Sequence, residues 1–161
     1  MALLKNGDRF PRLVAKSVAG GEIRLPEDLA GSYGVVLFYR GAWCPLCREQ
    51  LSDYAAAIGA LDDLGVKIVA LSADEATVSA KLVAENHLSF PVGYGLNAAE
   101  TAAEIGAFTN QSPAYVQPTN FILSPEGTIL SAVYSTHAFG RLSASDVKRF
   151  VAHVKSKQKA A

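Results

Sequence analysis

The hydrophobic pattern changes period along the chain, and each period predicts an element. Leu13 to Val18 and Glu22 to Leu25 flank Ala19-Gly20-Gly21, which reads as a short hairpin around a Gly-Gly turn. Gly34-Val-Val-Leu-Phe-Tyr39 is an unbroken apolar, β-branched and aromatic run, the pattern of a strand buried on both faces. Arg40-Gly41-Ala42-Trp43 breaks it, and Cys44-Pro45-Leu46-Cys47 follows. From there Cys47, Leu51, Tyr54, Ile58 and Leu61 fall at helical spacing and predict an amphipathic helix to about Leu64. Pro45 suits its first turn, where a missing N–H costs nothing. Val66 to Leu71 reads as a second buried strand. Asp74 is placed to cap a helix carrying Val78, Leu82 and Val83 and ending near His87. Leu88 to Tyr94 reads as extended around Pro91. Asn97 and Gly106 bracket another helix, and Phe108 to Gln117 reads as a looser stretch.

Asn120 to Leu123, a turn at Ser124-Pro125-Glu126-Gly127, and Thr128 to Tyr134 predict an antiparallel hairpin. A last helix starts at Ser143 or Ser145, with Val147, Phe150, Val151 and Val154 as its inward stripe. The order βαβ, further helix, hairpin, helix predicts an α/β fold: a central mixed β-sheet flanked by helices, in one domain over 1–161.

Composition narrows the function classes. Fifteen basic and fifteen acidic residues cancel, which gives no electrostatic reason to expect nucleic acid or an anionic membrane as partner. The basic tail of Lys155, Lys157 and Lys159 reads as a solvated end. No apolar run reaches the roughly eighteen residues a spanning helix needs. The first residues do not read as a signal peptide, so a cytoplasmic location is the expectation. Glycine-rich dinucleotide and phosphate loops are absent, so no cofactor is expected.

The chemistry-bearing feature is Cys44-x-x-Cys47. The first cysteine follows a buried strand and the second falls in the first turn of a helix. Helix N-terminal N–H groups and the dipole favour a thiolate there, and Arg40 and Arg48 could add positive potential. The short spacing lets one sulfur attack a substrate while the other resolves the product. Two bland readings compete. A metal site needs about four ligands, whereas the chain has no other cysteine and only the scattered His87, His137 and His153. A pair of inert buried cysteines fits poorly with a strand-to-helix position. Pro118, in Gln117-Pro-Thr-Asn120, stands where a strand begins; residue context alone favours an ordinary trans bond.

Several stretches together resemble the peroxiredoxin family, also called the alkyl hydroperoxide reductase/thiol-specific antioxidant family. They are Asn6 to Pro11, Val35 to Cys47, Phe90-Pro-Val92 and Pro118 to Gly127. The resemblance implies a thioredoxin-like fold, here with an N-terminal hairpin, in which the helical segment between Asp74 and Gly106 is a peroxiredoxin-type insertion. It implies a cis Pro118, and a homodimer, since peroxiredoxins often dimerise. The family's P-x-x-x-T-x-x-C pattern places the peroxidatic cysteine at Cys47, but Cys44 stands in the threonine position and Arg40 in the proline position. The arginine that peroxiredoxins carry near the position of Pro118 is also missing. Trp43-Cys44-x-x-Cys47 and Pro118-Thr119 instead resemble thioredoxins, in which the first cysteine attacks.

Three functions follow for Cys44 and Cys47, with Arg40, Trp43, Pro45, Pro118 and Thr119 as supporting residues. The first is a thiol peroxidase: hydroperoxide oxidises Cys47 to a sulfenic acid, Cys44 resolves it as a disulfide, and a thioredoxin-type reductant restores the pair. The second is a dithiol–disulfide oxidoreductase acting on protein disulfides, with Cys44 attacking and Cys47 resolving. The third, non-enzymatic, is a disulfide-switched redox sensor. Arg40 could donate a hydrogen bond to the departing oxygen or be a solvated loop residue. His137 and Arg141 read as a solvated loop, and Asp53 and Tyr54 as scaffold.

Overall fold

A computed structural model describes residues 3–160. A hairpin of β1 (Leu13–Ser17) and β2 (Glu22–Leu25) leads through a 3-10 turn to β3 (Tyr33–Phe38). Then come α1 (Pro45–Ala56), α2 (Ile58–Asp63), β4 (Val66–Leu71), α3 (Ala76–Glu85), β5 (Val92–Tyr94) and α4 (Ala98–Ile105). The chain closes with β6 (Thr109–Gln111), β7 (Ala114–Val116), β8 (Thr119–Leu123), β9 (Ile129–Tyr134) and α5 (Ala144–Ala160).

Seven strands form one mixed sheet in the order β2-β1-β5-β4-β3-β8-β9. The most apolar run in the sequence, β3, lies inside it, parallel to β4 and antiparallel to β8, with every residue buried. Its side chains alternate between two cores, as the pleat requires. Val35, Leu37 and Tyr39 pack with Cys47, Leu51, Tyr54, Leu61, Leu82, Val147 and Val151 from α1, α2, α3 and α5. Val36 and Phe38 pack with Ala98, Ala102 and Ile105 of α4 and with Phe121 on the other face. Helices thus cover both faces. The cysteine-bearing turn emerges where β3 ends.

The structure corrects several expectations. The single helix to Leu64 is two helices. Ala57 turns at φ −95°, ψ 5°, its N–H shared among the carbonyls of Ala55, Asp53 and Tyr54. Residues 55–60 carry one large side chain, so little packing holds the helix straight, and the turn lets Leu61 reach the core. Asp74 does not cap α3. Glu75 takes that place without a side-chain bond, and the Asp74 carboxylate instead accepts the Ala42 N–H at 2.7 Å. The inward stripe of α3 keeps Leu82 and Val83, but Val78 is exposed and Ser79 is buried in its stead.

The looser stretch after Phe108 is the β6–β7 hairpin, and Ser112–Pro113 in its turn is cis. The cis bond that the resemblance implied at Pro118 is absent: Leu25–Pro26 and Ser112–Pro113 are the cis bonds among the described residues. An X–Pro bond prefers trans unless its surroundings specify otherwise. Here the Gln117 N–H is bound to the Phe108 carbonyl, and the Pro118 carbonyl accepts the Ser135 N–H. Both bonds carry the segment extended into β8. At Asn97 and Gly106 the expected caps are present: Asn97 accepts the Glu100 N–H at 3.0 Å, and Gly106 adopts the left-handed conformation at φ 75°.

Candidate active site

The site grows out of the break between β3 and α1. Gly41 turns the chain; a Cβ there would collide with the Trp43 indole and meet the Asp74 carboxylate at 3.0 Å. The Ala42 peptide is held on both sides, its N–H by Asp74 and its carbonyl by Arg48 Nη1 at 2.6 Å. Arg48 therefore braces the loop and makes no bond to a sulfur. Pro45 begins α1, as its fixed φ favours, and Cys44 is the residue that caps it. A thiolate-bearing residue thus sits in the place where a serine or aspartate would ordinarily accept helix N–H groups. The Cys44 sulfur accepts the Cys47 N–H at 3.3 Å.

Two arginines converge on the pair. Arg141, from the loop before α5, reaches Cys47 Sγ at 3.1 Å and Cys44 Sγ at 3.6 Å through Nη2. Its Nη1 donates to Gln50 Oε1 at 2.9 Å, and its Nε donates to the Ala138 carbonyl at 2.5 Å. Gln50 is in turn fixed by bonds from its amide nitrogen to Asn120 Oδ1 at 3.0 Å and to the Leu142 carbonyl at 2.9 Å. The Leu142 N–H returns to Asn120 Oδ1, and Tyr54 donates to the same Leu142 carbonyl. This network pins the loop that carries Arg141 to α1 and β8, which fixes the direction in which the guanidinium points.

Arg40 reaches Cys44 alone. Its Nη1 lies 3.9 Å from Cys44 Sγ and its Nη2 donates to the Tyr115 hydroxyl at 2.9 Å. The guanidinium carbon stands 4.9 Å from the Trp43 ring centre and 5.0 Å from that of Tyr115, within cation–π range.

Electrostatics divides the two thiols. Burial pushes Cys44 up, but bonds from the Cys47 thiol and N–H, with Arg141 and Arg40, outweigh it and hold Cys44 below the ordinary thiol value. Burial pushes Cys47 up, as does the proton it donates to Cys44, against the pull of Arg141. Of the two, Cys44 is therefore the thiol that ionises more readily, with Cys47 as the donor to its sulfur. Burial also pushes the Tyr39 phenol up to about 12, so it stays protonated beneath the site.

Of the residues singled out from sequence, Cys44, Cys47, Arg40 and Trp43 come together. Trp43 is half exposed at the rim, edge-on to Tyr115 at 5.0 Å. Thr119 is buried and donates its hydroxyl to the Gln117 carbonyl. Pro118 bridges β7 to β8. His137 stacks on the exposed Phe139.

Sequence reasoning passed over Gln50, Tyr115 and Asn120, and set Arg141 aside as a solvated loop. A signal existed for two of them. Gln50 interrupts the apolar face of α1 three residues after Cys47, and Asn120 interrupts the apolar strand β8. A polar residue at such a position needs a partner.

The chain is similar in sequence and in fold to known redox proteins. A model of the AhpC/TSA family matches residues 6–132. The thiol-disulfide oxidoreductase ResA of Bacillus subtilis is 28% identical over 136 residues, spanning 83% of this chain and 69% of that protein. A peroxiredoxin of Treponema denticola is 27% identical over 139 residues, spanning 84% of this chain and 66% of its own length. The crystal structure of Enterococcus faecalis AhpC superposes with a TM-score of 0.83 at 18% identity, covering 99% of this chain and 98% of that one. That of Mycobacterium bovis AhpC gives 0.83 at 19% identity over 98% and 96%. At those identities the superpositions show the fold.

Proposed function

The chain belongs to the AhpC/TSA family and is a thiol-dependent oxidoreductase; from that premise we propose that it reduces hydroperoxides, with Cys47 attacking and Cys44 resolving. The observation that carries this reading is Arg141 Nη2 at 3.1 Å from Cys47 Sγ, with its other nitrogen held by Gln50. A guanidinium so fixed can stabilise both the attacking thiolate and the oxygen that departs. It does so from the loop before α5, in a chain that lacks the arginine the family resemblance expects near Pro118.

The steps balance as follows. The Cys44 thiolate takes the Cys47 proton. Cys47 Sγ attacks the nearer peroxide oxygen, the O–O bond breaks, and the alkoxide leaves and is protonated by solvent. Cys47 is then a sulfenic acid. Cys44 attacks the Cys47 sulfur, forming the disulfide and expelling hydroxide, which leaves as water with the Cys44 proton. A thiol reductant, thioredoxin-type by analogy with peroxiredoxins, returns the dithiol at the expense of its own oxidation.

One feature favours a second reading, disulfide exchange started by Cys44: its thiol is held below the ordinary value by the Cys47 thiol and N–H and by the two arginines, whereas Cys47 is pushed up. Peroxide consumption by the wild type, Cys44→Ser and Cys47→Ser distinguishes them. The peroxidase reading requires Cys47→Ser to lose fast consumption and Cys44→Ser to react and accumulate a sulfenic acid on Cys47. If no variant exceeds free thiol, that reading is lost, and insulin reduction dependent on Cys44 becomes the expected activity.

A further inference from the structure

The two arginines at the sulfurs are held unequally. Arg141 is fixed by two bonds away from the cysteines, to Gln50 Oε1 and to the Ala138 carbonyl. Arg40 has one such bond. Its Nη2 donates to the Tyr115 hydroxyl at 2.9 Å, its Nη1 lies 3.9 Å from Cys44 Sγ, and its Nε is buried without an acceptor. No carboxylate pairs with it among the described residues. The direction of the Arg40 guanidinium therefore depends on Tyr115, with the Trp43 and Tyr115 rings beside it.

Tyr115 is fixed in turn from far along the chain. It is 8% exposed and sits on β7, opposite Asn110 of β6. The Asn110 side-chain amide donates to the Pro113 carbonyl and the Gln117 N–H to the Phe108 carbonyl, so the hairpin is closed at both ends. The next residue, Val116, belongs to the core that holds Ala102 and Ile105 of α4. A hairpin seated on the other face of the sheet thus presents a phenol to a guanidinium beside Cys44.

The groups facing Cys44 are few. Cys47 donates its N–H from α1, Arg141 reaches in from the loop before α5, and Arg40 stands with Tyr115 behind it. Asp74 is committed to the Ala42 N–H and Arg48 to the Ala42 carbonyl, and the protonated Tyr39 phenol lies in the core beneath. Arg141 contacts both sulfurs, whereas the Arg40 guanidinium contacts only Cys44. A charge so placed favours the anion on one sulfur over the other.

We propose that Tyr115 is a positioning residue for resolution: by holding the Arg40 guanidinium against Cys44 it favours negative charge there over Cys47, which speeds attack on the Cys47 sulfenic acid and restrains attack on peroxide. This rests on the reading in which Cys47 attacks and Cys44 resolves. In the step it serves, the Cys44 thiolate attacks Cys47 Sγ, the S–S bond forms and the S–O bond breaks. The hydroxide leaves as water with the proton that Cys44 released.

The test is single-turnover reaction with hydrogen peroxide across a pH series, for the wild type, Tyr115→Phe, Arg40→Met and the double variant. Quenched mass spectrometry separates the sulfenic acid from the disulfide. Tyr115→Phe keeps the ring against Trp43 and removes the hydroxyl. The midpoint of the resolving step should rise by about one pH unit, the effect of roughly one charge-assisted hydrogen bond. Below that midpoint the Cys44 thiolate falls about 10-fold while its greater basicity restores about 3-fold in nucleophilicity. Resolution should therefore slow about 3-fold there, with sulfenic acid accumulating on Cys47. The peroxide step should respond the other way. Below the midpoint of the pair the Cys47 thiolate follows its own microscopic constant, so the two profiles meet. Above it Cys47 takes a larger share of the single charge, and the variant should be faster, by at most about 10-fold. The double variant should match Arg40→Met, as a residue acting through Arg40 requires.

A merely structural role would lower the melting temperature and slow both steps together with neither midpoint moved; that result, or additive effects in the double variant, would overturn the proposal. Alkylation of the reduced protein by iodoacetamide, with each cysteine counted by mass spectrometry, reads the same division of charge without peroxide. The Cys47 share should rise in Tyr115→Phe. If the wild type consumes no peroxide beyond free thiol, the peroxidase reading falls and this ratio decides the rest: a shift sustains the hold of Tyr115 on the charge, and an unmoved ratio overturns it.

Discussion

Replacing Arg141 by methionine isolates the guanidinium, because the apolar stem keeps nearly its length. The perturbation removes the donor 3.1 Å from Cys47 Sγ and leaves Gln50 Oε1 without its partner, while the Gln50 amide nitrogen keeps both of its bonds. At that separation and an effective dielectric near 20, the charge–charge attraction is about 5 kcal/mol. Arg141 is half-buried, and solvent takes back part of that. A charge-assisted hydrogen bond nets about 1.5–3 kcal/mol. At 1.36 kcal/mol per unit, the titration of the cysteine pair should move up by about 1–2 pH units. A second loss is independent of protonation: the departing oxygen loses a fixed donor, a defect of about 100-fold in the reaction itself. The assay is the rate of hydroperoxide reaction followed by the single tryptophan, Trp43, across the thiol titration range. The midpoint should rise and the high-pH plateau should fall. An unmoved midpoint would refute the claim that Arg141 stabilises the thiolate. An unmoved plateau would refute its part in oxygen departure.

The remaining predictions concern the frame around the sulfurs. Tyr54→Phe should cost about 1 kcal/mol, a fall of roughly 2–4 °C in Tm for a domain of this size, because the Leu142 carbonyl keeps the Gln50 bond; calorimetry reads it. Asp74→Ala should loosen the Gly41–Trp43 loop and slow peroxide reaction, while Asp74→Asn keeps an acceptor for Ala42 and should retain most of the rate. Burial raises the Asp74 carboxyl above its ordinary value. Its ionisation therefore opposes folding, and this contribution to stability is fullest below the unfolded pKa and is lost as pH rises through the folded one. Urea melts of wild type and Asp74→Asn should accordingly converge on acidification, with the variant the more stable at neutral pH. Asn97→Ala removes the cap on Glu100 N–H and should cost about 1 kcal/mol without altering peroxide kinetics, the site being on the opposite face of the sheet.

Much of the frame was legible because it follows from periodicity. A short unbroken run of apolar, β-branched and aromatic residues has the pattern of a strand buried on two faces, and β3 is that strand. Asn97 and Gly106 marked their helix because cap chemistry is local. The break at Ala57 was hidden: the apolar spacing of α1 and α2 together fits one straight helix, and the turn depends on how Leu61 meets the sheet. The cysteine pair could be read from its place after the strand. Arg141 could not, since it lies 94 residues from Cys47 and its direction is set by Gln50, Asn120 and Leu142 acting together. Each of those looks ordinary alone; only the closed network turns a loop arginine into a sulfur ligand.

That network also accounts for how a thioredoxin-like mouth can sit on a peroxiredoxin body. Putting Cys44 in the threonine position removes a neutral hydroxyl donor and substitutes a second ionisable sulfur, which draws the resting charge away from Cys47. A guanidinium on one side alone would then strengthen only the outer thiolate. Arg141 touches both sulfurs and is nearer to Cys47, whereas Arg40 reaches Cys44 and stops there. The proton between the two thiols is thus shared across unequal fields, with the stronger contact on the deeper sulfur. Under that arrangement moving the proton to Cys44 exposes Cys47 as a nucleophile already facing its donor, and the same Arg141 contact is placed to stabilise Cys47 as the leaving thiolate when a disulfide between them is attacked at Cys44.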